Sequence, residues 1–194
     1  MKQSVKELIM PPLVLTVICA VVCGLLVTAH DATYVDNTGV ITEKLRTGCE
    51  DIFSGGEDCE YEMLVTEEDG KRLPVTFGEK DVDSIIVDKA AGNCLIEYTG
   101  DGYKKDGLHI LVGFGSDGAV SGISFISIGE TPGLGTKVQE DSFTGQFIGY
   151  TAGANMDGID GVTAATYSSK GMKAAVVSCA EIYSVHRGEI FGGE

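Results

Sequence analysis

Residues Leu8 to Ala29, LIMPPLVLTVICAVVCGLLVTA, run for 22 positions without a charge. At about 1.5 Å per residue, a helix of that length spans roughly 33 Å, the thickness of a bilayer's hydrocarbon core. The segment divides the chain into a membrane-spanning helix, residues 1–30, and a part that must fold in water, residues 31–194. Pro11 and Pro12 stand near its start, where a missing N–H does least harm. Lys2 and Lys6 precede it, and His30, Asp31 and Asp36 follow. The positive-inside rule therefore places the N-terminus in the cytoplasm and the rest of this single-pass chain outside. A cleavable leader would have a shorter apolar region, although Val27-Thr28-Ala29 has the small residues of a cleavage site. Cys19 and Cys23 follow Ile18 and Val22, where a lipoprotein site needs a small residue. A retained anchor is the expectation. Thr16, Ala20, Gly24 and Thr28 recur every fourth residue. They form a small-residue ridge that permits close approach of another membrane helix, or else reflect the composition usual in such helices.

The first thirty residues carry Lys2, Lys6 and Glu7, a net +1, so the chain's total of −15 leaves −16 on the remainder. Phosphate contacts need basic surface, so nucleic-acid binding is excluded. Of the six cysteines, Cys49 and Cys59 flank DIFSGGED, where an oxidising compartment would permit a disulfide. Cys94 and Cys179 lie in strand-like and helix-like runs and read as core. His30, His109 and His186 are isolated in sequence, there is no CxxC, and no metal or haem site is drawn.

Past the anchor, Ile41, Leu45 and Ile52 have roughly helical spacing, with Asn37 or Thr38 as caps. Short β-rich runs follow, YEMLVT, DSIIVD, NCLIEYT, GLHILVGF and AVSGISFISI, separated by Gly, Asp and Asn. The last two flank GSDG and predict a hairpin. GETPGLGTK is too rich in glycine for regular structure. The last segment, SSKGMKAAVVSCAEIYSVHRG, sets Met172, Ala175, Val176, Cys179, Ile182 and Tyr183 on one helix face, with Gly188 as the stop. The fold class is α+β: a transmembrane helix, then antiparallel strands with flanking helices.

Just before that helix, DGVTAATYSSKG holds five hydroxyl side chains in twelve residues. Ordinarily one such hydroxyl caps the helix. A helix start with small residues and hydroxyls also suits a phosphate, which wants backbone N–H groups, hydroxyl donors and the positive end of the helix dipole. Ala164 and Ala165 leave room, Ser168 and Ser169 offer donors, and Lys170 adds a positive charge.

These two segments resemble the FMN-binding subunits of bacterial ion pumps: the G subunit of the Rnf complex, a ferredoxin:NAD oxidoreductase, and the C subunit of the sodium-pumping NADH:quinone reductase. Their motif places Asp, then Ser or Thr, a small residue, Ala-Thr, and a further Ser or Thr. Asp160, Thr163, Ala164, Ala165, Thr166 and Ser168 follow that order, and Glu130, Thr131, Pro132, Gly133, Leu134 and Gly135 reproduce the ETPGLG loop. The anchor and the order of motifs extend the resemblance over essentially the whole chain, and the length suits the shorter Rnf protein.

The resemblance implies FMN joined by a phosphodiester to Thr166, in an extracytoplasmic domain that relays electrons. Thr163, a hydroxyl supporting the turn, Ala165, Ser168, Ser169 and Lys170 would surround the phosphate. Glu130, Thr131, Leu134 and Gly135 would lie beside the isoalloxazine ring. Implied partners are the other membrane and peripheral Rnf subunits, a flavin transferase and the lipid bilayer, in a translocase that moves Na⁺ or H⁺. Residues of a separate catalytic site are not expected. The competing readings are a flavoprotein of another extracytoplasmic electron route, the C subunit itself, or a non-redox scaffold that uses its acidic surface. Ala164 departs from the family's usual glycine, and would be strained if that position needs a positive φ.

Overall fold

The computed structural model describes residues 5–33, 39–53, 60–69 and 71–192, with backbone alone at 5–9 and 31–33. The chain divides after Asn37 into two units. The first is one helix, α1 (Val5–Thr33), in which Met10–His30 is long and apolar enough to cross a membrane. The hydroxyls of Thr16 and Thr28 are satisfied within the helix: Thr16 Oγ1 donates to the Pro12 carbonyl at 2.8 Å, and Thr28 Oγ1 to that of Gly24 at 3.0 Å. Such bonds let a hydroxyl sit in lipid without a water partner. Pro11 and Pro12 lie inside the helix, beyond the first turn where the sequence suggested them. They leave the Glu7 and Leu8 carbonyls without amide partners, close to the end of the apolar stretch.

The second unit opens with α2 (Glu43–Phe53), then β1 (Tyr61–Met63), β2 (Val65–Glu68), β3 (Lys71–Pro74), β4 (Val82–Asp88), β5 (Asn93–Gly100), β6 (Leu108–Phe114) and β7 (Val120–Ile128). A short helix α3 (Asp141–Thr144) sits between two 3-10 turns, Gly135–Gln139 and Gly145–Phe147, and the long α4 (Thr166–Ile190) follows. Five strands form one antiparallel sheet in the order β1-β4-β5-β6-β7, while β2 and β3 pair separately. The α+β architecture is as the sequence predicts.

Both faces of the sheet are covered, which explains why β4, β5 and β6 read as apolar runs and not as clean alternation. On one face Ile85, Val87, Cys94, Ile96, Leu108, Ile110, Val112 and Phe114 meet Met172, Ala175, Val176, Cys179 and Tyr183 of α4. On the other, Ile86, Leu95 and Leu111 meet Leu45 and Cys49 of α2. Cys94 and Cys179 are both fully buried, and burial pushes both thiols far above their ordinary range. Cys49 is buried as a thiol, pushed up to about 12 chiefly by desolvation. Its proposed disulfide partner Cys59 and the candidate caps Asn37 and Thr38 lie outside the described residues.

Three local expectations need correcting. Helix α2 begins at Glu43, and the Thr42 hydroxyl accepts the Leu45 N–H at 3.4 Å, so Thr42 supplies the cap and Ile41 precedes the helix. The run YEMLVT is broken at Leu64 into strands of different sheets, and β3, with two basic residues and Pro74, gave no strand signal. Helix α4 continues through Gly188 to Ile190, and Gly192, at φ +71°, follows its end. Helical φ is open to glycine, and tertiary packing of Ile190 carries the last turn past it.

Candidate functional site

Helix α4 starts abruptly. Ala164 takes φ +64°, Ala165 is the residue before the helix, and no side chain caps it. The hydroxyls crowded there have other partners. Ser169 Oγ accepts the Val162 N–H at 2.9 Å, and Ser168 Oγ donates to Glu130. The Ala165 N–H goes to the Val162 carbonyl at 3.0 Å, and the Ser169 N–H to the Ala165 carbonyl at 2.9 Å. Helix geometry leaves the N–H groups of Thr166, Tyr167 and Ser168 without intrahelical acceptors. With no acidic residue in that turn, the positive end of a 25-residue helix is available to an anion.

The ETPGLG loop wraps against this turn. The Thr131 carbonyl accepts the N–H groups of Leu134 and Thr136, each at 3.2 Å, and Gly133 takes φ +73°, a conformation that favours glycine. The Thr136 hydroxyl accepts the Gly133 N–H at 2.9 Å. The chain then passes into the 3-10 turn from Gly135. Between this loop and α4 lies a cavity of about 530 Å³, lined by Tyr103, Thr131, Leu134, Gly135, Ala164, Ala165, Thr166, Tyr167 and Ser168. Its size falls in the range of cofactor sites, about 300–1,000 Å³. Leu134 is 46% exposed, while Tyr103 and Tyr167, at 71% and 69%, meet edge to face with centroids 6.2 Å apart.

Of the residues singled out in the sequence, Thr131, Leu134, Gly135, Ala165, Thr166 and Ser168 line this cavity. Thr166 is exposed at the first position of α4. Four others do not line it. Thr163 and Lys170 are exposed beside it, Ser169 is buried and spent on Val162, and Glu130 is buried beneath it. Glu130 accepts the Tyr103 N–H and the Lys104 N–H, each at 3.0 Å, besides the Ser168 hydroxyl. Burial alone would raise its pKa, but these hydrogen bonds, led by that from Ser168, hold it below the usual carboxylate value.

Sequence reasoning missed Tyr103 and Tyr167 as lining residues. Tyr167 occupies the unspecified position of the motif. Tyr103 stands in DGYKKDG, a stretch that reads only as a separator of strands. Ala164, expected from the sequence to leave room for a phosphate, does line the cavity, and its positive φ shows that the position favours glycine; alanine there costs about 1 kcal/mol.

His109, isolated in sequence, has neighbours on the sheet. Its Nε2 lies 2.8 Å from Glu97 Oε1 and 3.8 Å from Asp83 Oδ2, across three adjacent strands. The Ser84 hydroxyl donates to Glu97 at 2.5 Å, and that of Thr99 to Asp83 at 2.6 Å. The Glu97 hydrogen bond raises the His109 pKa against its own desolvation. Glu97, which burial would raise, is held down by His109 and Ser84.

The uncapped helix start, the cavity and its small-residue floor suit a phosphate with an attached planar ring. Residues 102–181, which contain every lining residue, match the FMN-binding domain. The match covers this segment, where the motifs and the anchor suggested a resemblance over nearly the whole chain. Among curated proteins the chain is similar to the G subunit of the proton-translocating ferredoxin:NAD(+) oxidoreductase complex of Clostridium ljungdahlii. The two are 37% identical over 82 residues, 38% of this chain and 44% of that one. It is also similar to the G subunit of the Na(+)-translocating ferredoxin:NAD(+) oxidoreductase complex of Acetobacterium woodii, at 33% over 86 residues, 39% and 42% of the two chains. The chain thus spans less than half the length of these relatives. Among solved structures, the C subunit of the Na(+)-translocating NADH-quinone reductase from Parabacteroides distasonis aligns over 63% of this chain and 75% of its own, at 20% identity and TM-score 0.43.

Proposed function

We propose that this chain is an electron-relay subunit of an Rnf-type ferredoxin:NAD oxidoreductase, carrying FMN on Thr166 through a phosphodiester. The observation that carries the reading is the cavity inside the FMN-binding segment, walled by both sequence motifs, with Thr166 exposed at an uncapped helix start. The Thr166, Tyr167 and Ser168 N–H groups would meet the phosphate. Ala164 and Ala165 leave it room, and Tyr103, Leu134 and Tyr167 offer surface to the ring. The bound flavin supplies one- and two-electron redox chemistry, while the protein supplies tethering and orientation.

A helix-terminal charge interaction contributes about 0.3–1 kcal/mol, too little to retain a mononucleotide in an open site. A covalent bond removes that limit. Attachment would exchange the Thr166 hydroxyl proton for a flavin phosphoryl group. The Oγ1–P bond would form as the bridging P–O bond of a flavin dinucleotide broke, with the mononucleotide of its other half leaving and the Thr166 proton passing to solvent. A flavin transferase would catalyse this step. Helix α1 would anchor the chain in the cell membrane with its N-terminus cytoplasmic and residues 31–194 outside, beside the complex's other subunits, whose translocation of Na⁺ or H⁺ the relay would serve.

The test is Thr166→Ala, co-expressed with a competent flavin transferase and read as flavin fluorescence on a denaturing gel. The band should go dark while the wild-type band fluoresces. Fluorescence that survives the substitution would refute attachment at this residue.

A further inference from the structure

We infer that Glu130 is the positioning residue of the flavin site: it fastens together the three segments that wall the cavity without touching the cofactor. The inference rests on the flavin reading of that cavity. The three segments are the 101–107 loop, which carries Tyr103; the 130–135 loop, which carries Leu134 and Gly135; and the first turn of α4, which carries Thr166 and Ser168. Glu130 belongs to the second and is 4% exposed. Its Oε1 accepts the Lys104 N–H at 3.0 Å, and its Oε2 accepts the Tyr103 N–H at 3.0 Å together with the Ser168 hydroxyl.

The surroundings are shaped to this carboxylate. A Cβ added at Gly102 would lie 2.7 Å from Oε1, one at Gly107 would press on the same oxygen, and one at Gly135 would lie 2.9 Å from Oε2 and 2.8 Å from Ser168 Oγ. Three glycines therefore cage one acid, and no side chain can replace any of them without moving it. The remaining bonds of the 101–107 loop are largely internal: the Gly102 and Gly107 N–H groups both go to the Lys104 carbonyl at 3.1 Å, and the Asp106 N–H to Asp101 Oδ1 at 2.8 Å. Beyond Glu130, the loop is tied to the next segment by the Gly129 N–H, which donates to the Gly107 carbonyl at 2.7 Å.

All three partners of Glu130 are donors, so the clasp needs an acceptor at both oxygens. Glutamine has the same shape but places an NH₂ group against a donor in either orientation, leaving a part-buried backbone N–H unpaired. The Ser168 proton is also committed to Glu130. Ser168 thus acts as the link from the clasp to the turn bearing Thr166, and the phosphate is left to the backbone N–H groups.

The experiment compares wild type, Glu130→Gln, Ser168→Ala, the double variant and Thr166→Ala as full chains expressed without a flavin transferase, to which transferase and flavin dinucleotide are then added. The initial rate of covalent flavin incorporation is read by intact mass and gel fluorescence, and folding by cooperative thermal unfolding. Amide exchange at Tyr103 and Lys104 is measured on the same chains before flavin is added. Glu130→Gln should incorporate flavin about tenfold more slowly and exchange at those two amides about tenfold faster, while still unfolding cooperatively. The double variant should be no slower than Glu130→Gln, because Ser168 acts through Glu130. Wild-type incorporation in Glu130→Gln, or an additive double variant, would overturn the inference. If wild type itself takes no flavin, the flavin reading fails, and the exchange measurement still decides the clasp: unchanged protection at Tyr103 and Lys104 would refute it. If Glu130→Gln does not fold, Ser168→Ala is the deciding variant, and wild-type incorporation by it would refute the link.

Discussion

Gly171 lies in the second turn of α4, where substitution by alanine would ordinarily help. An interior helical glycine is less favourable than alanine by about 1 kcal/mol. The packing here opposes that gain. A Cβ on Gly171 would collide with the Asp101 carbonyl oxygen and stand 2.9 Å from Leu108 Cδ1 and 3.0 Å from Gly102 Cα. Two of these three neighbours are backbone and cannot swing aside, so either α4 or the 101–102 segment must shift. Overpacking costs about 1–3 kcal/mol, and backbone obstruction belongs at the upper end. The collision therefore outweighs the propensity, and Gly171→Ala should destabilise the domain by about 1–2 kcal/mol. At about 2–4 °C per kcal/mol for a domain of this size, the melting temperature should fall by about 2–8 °C. Gly145→Ala is the control: it has helical φ of −62° and nothing within 4 Å of an added Cβ, so it should be neutral or stabilising. A Gly171→Ala melting temperature at or above wild type would refute the close approach of α4 to the 101–102 segment that leads to Tyr103.

Ala164→Gly relieves the positive φ and should raise the melting temperature by about 2–4 °C, equivalent to about 1 kcal/mol; a decrease in a thermal scan would contradict the strain. Ser169→Ala removes the acceptor of the Val162 N–H and should cost about 1 kcal/mol in urea unfolding, with no effect expected if that bond is absent. The His109–Glu97 pair predicts a pH window. His109, with its pKa raised from the ordinary 6.5, contributes fully below that value and loses its contribution as pH rises through its folded pKa. Glu97, lowered from 4.5, contributes above that value and loses its share as pH falls through its folded pKa. Lys44 of α2 and Asp83 of β4 act on His109 in opposite senses. The destabilisation caused by His109→Gln should therefore be greatest at about pH 5–6 and smaller by about 1 kcal/mol at pH 8.5, measured by urea unfolding. A difference independent of pH would refute the ion pair.

The parts of the fold legible in the sequence are those set by local chemistry. The β6–β7 hairpin shows in its glycine-containing turn, and the buried face of α4 in the spacing from Met172 to Tyr183. The two motif loops stand out because glycine and hydroxyl residues cluster there, and the structure does bring Leu134 and Thr166 to one cavity. Other features depend on contacts between distant segments. Nothing near Tyr103 signals that the 101–107 loop reaches Glu130, and nothing near His109 reveals Glu97 and Asp83 on neighbouring strands. Ser169 has the residue type of a phosphate donor, yet its hydroxyl is turned to Val162, which spacing alone does not disclose. The missing strand β3 is short, basic and ends in proline, so its pairing with β2 supplies what its propensity does not.

The central claim is a flavin phosphodiester on Thr166, and the mass of the matured chain, with the peptide containing Thr166 isolated, tests it most directly. The account predicts that this peptide carries the added mass of one flavin mononucleotide less one water, and that the same peptide from Thr166→Ala does not. A chain matured beside an active flavin transferase that weighs only what its amino acids weigh would contradict it.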